Sequence, residues 1–143
     1  MGYLSGINWF AVVASAVASM VIGFVWYSPI LFAKPWCEAM GYDLNDKAKM
    51  DEMRKSAGPM YGAAMVCSLI TAMILAKMAS FMDLHSPTVG VKLGFAMWLG
   101  FITTTQLTGV LFSGQKIKLW VINTAHQLVS CIAMGIIVCV WRA

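Results

Sequence analysis

An all-α polytopic membrane protein with four transmembrane helices is the fold class this sequence predicts, and two observations predict it. The 143 residues are 60% hydrophobic and only 11% charged, against about a quarter charged in soluble domains. The apolar residues also gather into four blocks, about 7–32, 60–82, 91–112 and 119–141, each long enough for a hydrocarbon core that takes about 20 helical residues to cross. One domain over residues 1–143 follows, interrupted only by a polar interfacial segment at 33–58.

The first block is read as an uncleaved helix. Its "ASAVASM" stretch offers the small residues of a signal-peptide cleavage site, but no Lys or Arg precedes Ile7 and the apolar run continues to Phe32. Trp9 and Tyr27 mark its two ends, because these aromatics settle at membrane interfaces and the helix between them rises about 27 Å. Along it Ala11, Ser15, Ser19 and Gly23 recur every four residues. Small residues at that spacing let another helix approach closely, from the same chain or from a second copy. The stripe does not choose between the two; because so small a bundle has little interior, a homo-oligomer or an accessory subunit of a larger membrane complex is expected.

Ser28-Pro29 closes the block. Proline has no N–H to offer the carbonyl four residues back, here Val25. A freed carbonyl in a membrane needs a partner, so a polar pocket beside Trp26, Tyr27 and Ser28 is expected.

In the polar segment, Pro35 suits a first helical turn and Gly41 a helix end, so "KPWCEAMG" predicts a short interfacial helix. A second, capped by Asn45 and stopped by Gly58-Pro59, places Met50 and Met53 on one face. Both are expected on the membrane surface, the alternative being a solvated loop.

The remaining blocks are joined by "SPTVG" and "SGQK", links short enough to make antiparallel neighbours. Tyr61 and Phe81 bracket the second, and Trp120 and Trp141 the fourth. Their polar residues gather at one depth: Gln106 lies about 9 Å in from Phe112, and His126 a similar distance from Leu119. Asn123, Gln127 and Ser130 share a helix face. The candidate pocket is therefore Trp26, Tyr27, Ser28, Tyr61, Gln106, Asn123, His126 and Gln127, with Ala11, Ser15, Ser19 and Gly23 as helix-packing residues.

Charge sets orientation. Lys34, Lys47, Lys49, Arg54, Lys55, Lys116 and Lys118 fall in the first and third loops, against Lys77, Lys92 and Arg142 on the other side. Basic loops stay inside, so both termini are expected outside, although the first loop also carries five acidic residues. Basic residues dispersed between spans give no nucleic-acid face. Of the cysteines, Cys67, Cys131 and Cys139 lie inside spans and Cys37 near an interface, which reads as apolar thiols and not as a disulfide framework.

The stretch "NWFAVVASAVASMVIGFVWYSPILFAKPW", Asn8 to Trp36, resembles the bacterial membrane family called domain of unknown function 1761. The likeness lies in the Asn-Trp start, the small-residue helix, the Trp-Tyr-Ser-Pro-x-Leu-Phe core and the following Trp, and it extends more weakly to "NTAHQLVSCIAMG". The resemblance implies a four-helix protein of the bacterial inner membrane and carries over no catalytic residue.

No enzyme is expected: His126 is the one intramembrane histidine, no carboxylate lies in a span core, and no metal-ligand spacing appears. Twelve methionines would suit soft metals, but they do not converge with Cys or His, and no cofactor is expected. A non-enzymatic assembly role in the lipid bilayer is the first reading. A channel or transporter with an inner-side pocket for a solute or lipid headgroup is the alternative.

Overall fold

A computed structural model describes residues 5–43 and 45–141; Arg142, one of the three basic residues opposite the loops, lies outside them. Among the described residues there are six α-helices and four helical stretches long and apolar enough to cross a membrane: Trp9–Trp26, Lys47–Phe81, Pro87–Ser113 and Ile117–Val140. These form α1 (Trp9–Trp26), α3 (Lys47–Phe81), α4 and α5 (Pro87–Met97 and Thr104–Ser113, joined by a π segment, Trp98–Thr103) and α6 (Ile117–Val140). The short α2 is Ala33–Met40.

Both ends of the described chain lie on one face, the terminal face, where the Asn8 side chain donates to the Trp141 carbonyl (3.2 Å) and Lys77 Nζ to that of Ser5 (3.1 Å). Asn8 also caps α1 by accepting from the Phe10 N–H, as Ser86 caps α4 ahead of Pro87. The opposite, loop face carries α2 and the first turns of α3.

Three expectations need correction, and one open alternative is resolved. The first helix ends at Trp26, not near residue 32, because Ser28 and Pro29 turn the chain. Asp46, not Asn45, caps α3 by accepting from the Lys49 N–H. Gly58-Pro59 does not stop a helix: α3 runs through it for 35 residues, about 52 Å, so residues 47–58 are the first turns of a membrane-length helix and not a separate interfacial one. Gly58 has no Cβ to meet the proline ring, and the Lys55 carbonyl left without a donor sits on an exposed stretch, where water serves it. The small-residue stripe, finally, finds its partner within the chain. Ala11, Ser15 and Ser19 are buried within the chain, where α1 packs on α3 and α6.

The closest seam is α4 on α6. A Cβ added at Gly90 would stand 2.6 Å from the Gly135 carbonyl oxygen, and one at Gly94 would meet the backbone of Cys131 and Ile132. Such contacts require glycine: no side chain is there to give way. The Gly90-x-x-x-Gly94 spacing is a membrane packing signal that the sequence reading, drawn to the more regular stripe on α1, passed over.

Three indole N–H groups latch the helices. Trp26 donates to the Ile122 carbonyl (3.1 Å), Trp98 to Thr124 (2.7 Å) and Trp120 to Thr103 (3.1 Å). The last two bonds cross in opposite senses between the ends of the π segment and α6, and Thr103 closes the widened turns. Trp120→Phe is expected to lower stability by about 0.5–1.5 kcal/mol, the net worth of one lost hydrogen bond, read as an earlier unfolding midpoint in mixed micelles. No change would show that the π segment holds without its indole.

Candidate functional site

Toward the terminal face the bundle is solid. Val12, Ala72, Leu75, Ala79, Leu93 and Val138 form a tight apolar layer. Toward the loop face it hollows, because α5 leans on α6 and the π segment while α3 stands on α1 and α6, and no comparable seam joins α3 to α5.

The hollow has two chambers. A vestibule of about 910 Å³ lies between α2 (Ala33, Trp36, Cys37), α3 (Met50, Met53, Arg54, Ala57), α5 (Gln106, Gly109, Val110) and α6 (Trp120, Asn123, Gln127). Deeper in the membrane a chamber of about 270 Å³ is lined by Ser19, Gly23, Ser68, Thr71 and His126. Tyr27, Tyr61 and Gln127 line both and so form the neck between them.

Helix periodicity explains the walls. Met50, Met53 and Ala57 are half-buried at i, i+3, i+7 while their neighbours are exposed, so this part of α3 turns one apolar face to the vestibule. Asn123, His126 and Gln127 occupy successive positions of the α6 face that looks away from α4. Tyr27, just past the end of α1, is aimed inward by its hydroxyl, which donates to Asn123 Oδ1 at 2.7 Å. Its ring stands 5.3 Å from His126 and 6.0 Å from Trp36, and Tyr61 is steadied by Phe24 at 5.0 Å.

The polar groups here are under-used by the protein itself. Gln106 and Gln127 make no side-chain hydrogen bond among the described residues, nor does the amide nitrogen of Asn123. His126 has only a 3.4 Å contact with Ser130 Oγ. An amide without a partner in a membrane costs free energy, and these open onto hollow space instead of onto each other. Arg54 is the one charged residue on either lining, and no carboxylate is present among the described lining residues. Burial in α2 pushes the Cys37 thiol up.

Of the expected pocket residues, Tyr27, Tyr61, Gln106, Asn123 and Gln127 meet in the vestibule, and His126 lies in the deep chamber. Trp26 and Ser28 line neither. Trp26 is an interhelical latch, and Ser28 answers the need created by Pro29: its Oγ (2.6 Å) and its N–H (3.2 Å) both donate to the Val25 carbonyl. The Ser-Pro turn therefore satisfies its own backbone, so the break in α1 does not require a pocket. Of the stripe, Ser19 and Gly23 reach the deep chamber, whereas Ala11 and Ser15 only pack. Trp36, Met50 and Met53 were read as surface groups; the signal that places Met50 and Met53 inward is the continuation of their spacing to Ala57.

A family model described as Protein of unknown function (DUF1761) matches residues 10–139. The chain belongs to this family. The match reaches into all four membrane-length helices and spans the lining of both chambers of this DUF1761 protein. No curated protein and no solved structure matches it.

Proposed function

We propose that this protein is a non-enzymatic binding protein of the membrane, whose site opens on the loop face and ends blind inside the bilayer. The observation that carries the reading is the set of carboxamides, Gln106, Asn123 and Gln127, that turn free hydrogen-bonding groups onto two joined chambers. Hydrogen-bonding groups of this kind fix orientation and specificity in an otherwise apolar pocket. The apolar layer of Leu75, Ala79 and Leu93 beyond the deep chamber argues against a route through the protein, and so against a channel. The basic residues of the first and third loops support a cytoplasmic loop face in a bacterial inner membrane.

Side-specific thiol labelling tests this. Gln106→Cys is made in a chain with Cys37→Ala and Cys67→Ala, because Cys131 and Cys139 are buried and stay silent. A membrane-impermeant maleimide is expected to label it from the loop face only. Ser19→Cys in the same background is expected to react only with a small methanethiosulfonate, again from that face. Reaction of Ser19→Cys from the terminal face would make the hollow a pathway, and failure of both variants to react would remove the pocket.

A further inference from the structure

We propose that the vestibule takes one anionic membrane lipid, with its phosphate-bearing headgroup at Arg54 and the carboxamides and an acyl chain in the gap between α3 and α5. The inference rests on the binding-site reading and names its ligand.

Three observations converge on this occupant. The first is the side on which the vestibule is open. Its α3 and α5 walls form no seam comparable to those of the other helices, which leaves a gap between two membrane-length helices. The gap is edged by Met53 and Met60 on one side and Gly109 and Val110 on the other. Met60 is 67% exposed and stands at this gap. Flexible methionine side chains adapt to an apolar partner without fixed shape, such as an acyl chain.

The second observation is charge. With Arg54 as the one charged residue among the described lining residues, the vestibule carries a net positive charge that complements an anion. Arg54 is not committed elsewhere: its Asp51 contact is 4.0 Å long, with side chains 84% and 66% exposed, and such surface pairs hold little.

The third is level. Tyr27, Trp36 and Trp120 ring the vestibule where the spans end, the depth at which aromatics meet headgroups. The free amide groups of Gln106 and Asn123 lie just below, where ester and glycerol oxygens accept hydrogen bonds. A free phosphate would use the rim alone and leave the methionine wall without a partner.

The test is native mass spectrometry of the full chain from detergent, after exposure to phosphatidylglycerol or phosphatidylcholine, with glycerol 3-phosphate followed by thermal shift. One phosphatidylglycerol is expected to remain bound in preference to phosphatidylcholine. Arg54→Gln is expected to reduce that preference about fivefold, the usual weight of one basic residue against an anionic headgroup. Lys55→Gln, which removes the adjacent exposed cation outside the vestibule, is expected to change little. Equal retention of the two lipids, or an equal effect of Lys55→Gln, would overturn the proposal. Stabilisation by glycerol 3-phosphate without lipid retention would also overturn it and make the ligand a soluble anion. If no probe binds while Gln106→Cys still labels from the loop face, the lipid assignment fails and the pocket stands; if that labelling fails too, both fall.

Discussion

Gly94→Ala is expected to destabilise the bundle by about 3 kcal/mol, the upper part of the range for overpacking, although the change adds one methyl group. The new Cβ would overlap the α6 backbone at Cys131, with the Ile132 Cα only 2.8 Å away. Where a flexible side chain is crowded it swings aside; where a backbone is crowded the helix itself has to move. Moving α6 from α4 strains the Trp98 and Trp120 latches and the floor under the deep chamber together. Gly62→Ala is the matched control. Gly62 is mid-helix with nothing within 4 Å of its added Cβ, and Ala there is expected to be neutral or stabilising by up to about 1 kcal/mol. Unfolding in mixed micelles separates the two, and similar midpoints for both variants would contradict the packing described for α4 and α6.

The second large effect is a contrast of sign between neighbours. Gln127→Met keeps the length of the side chain and removes a carboxamide that has no partner among the described residues. In detergent stripped of lipid it is expected to match the parent or exceed it by about 1 kcal/mol, because the desolvation cost of an unpaired amide disappears. Asn123→Leu, one turn away, is expected to cost about 1–2 kcal/mol, because it strands the Tyr27 hydroxyl that now donates to Oδ1. If the polar slab were only helix adhesive, both amides would bridge helices and both variants would lose stability. An equal loss in the two would therefore turn the hollow into packing.

Much of this architecture is legible in the residues. Run length and composition announce four spans, and Pro35 with Gly41 announces α2, because these are local properties. The reach of α3 is not local. Pro59 usually stops a helix, and what lets α3 continue is a Gly58 neighbour together with water at Lys55. The stripe from Ala11 to Gly23 announces close approach but not the partner, since small residues permit contact without choosing who makes it; here α3 and α6 of the same chain fill it. The pocket divides in the same way. Depth along each helix groups Tyr27, Tyr61, Gln106, Asn123 and Gln127, which line one vestibule. Trp26 and Ser28 share that depth but point to backbone carbonyls. The π segment is invisible in the sequence, because it is held by Trp98 and Trp120 across the α6 seam.

The central claim is that the hollow between α3 and α5 is a filled, one-ended binding site. The structure of the protein in lipid nanodiscs measures this most directly, through the density beside Gln106, Asn123 and Gln127. Ordered non-protein density within hydrogen-bonding distance of these amides, continuous toward the loop face and ending below the Leu75 layer, is the result expected here. Collapse of α5 onto α3, with the three amides bonded to each other and no space between, would contradict it.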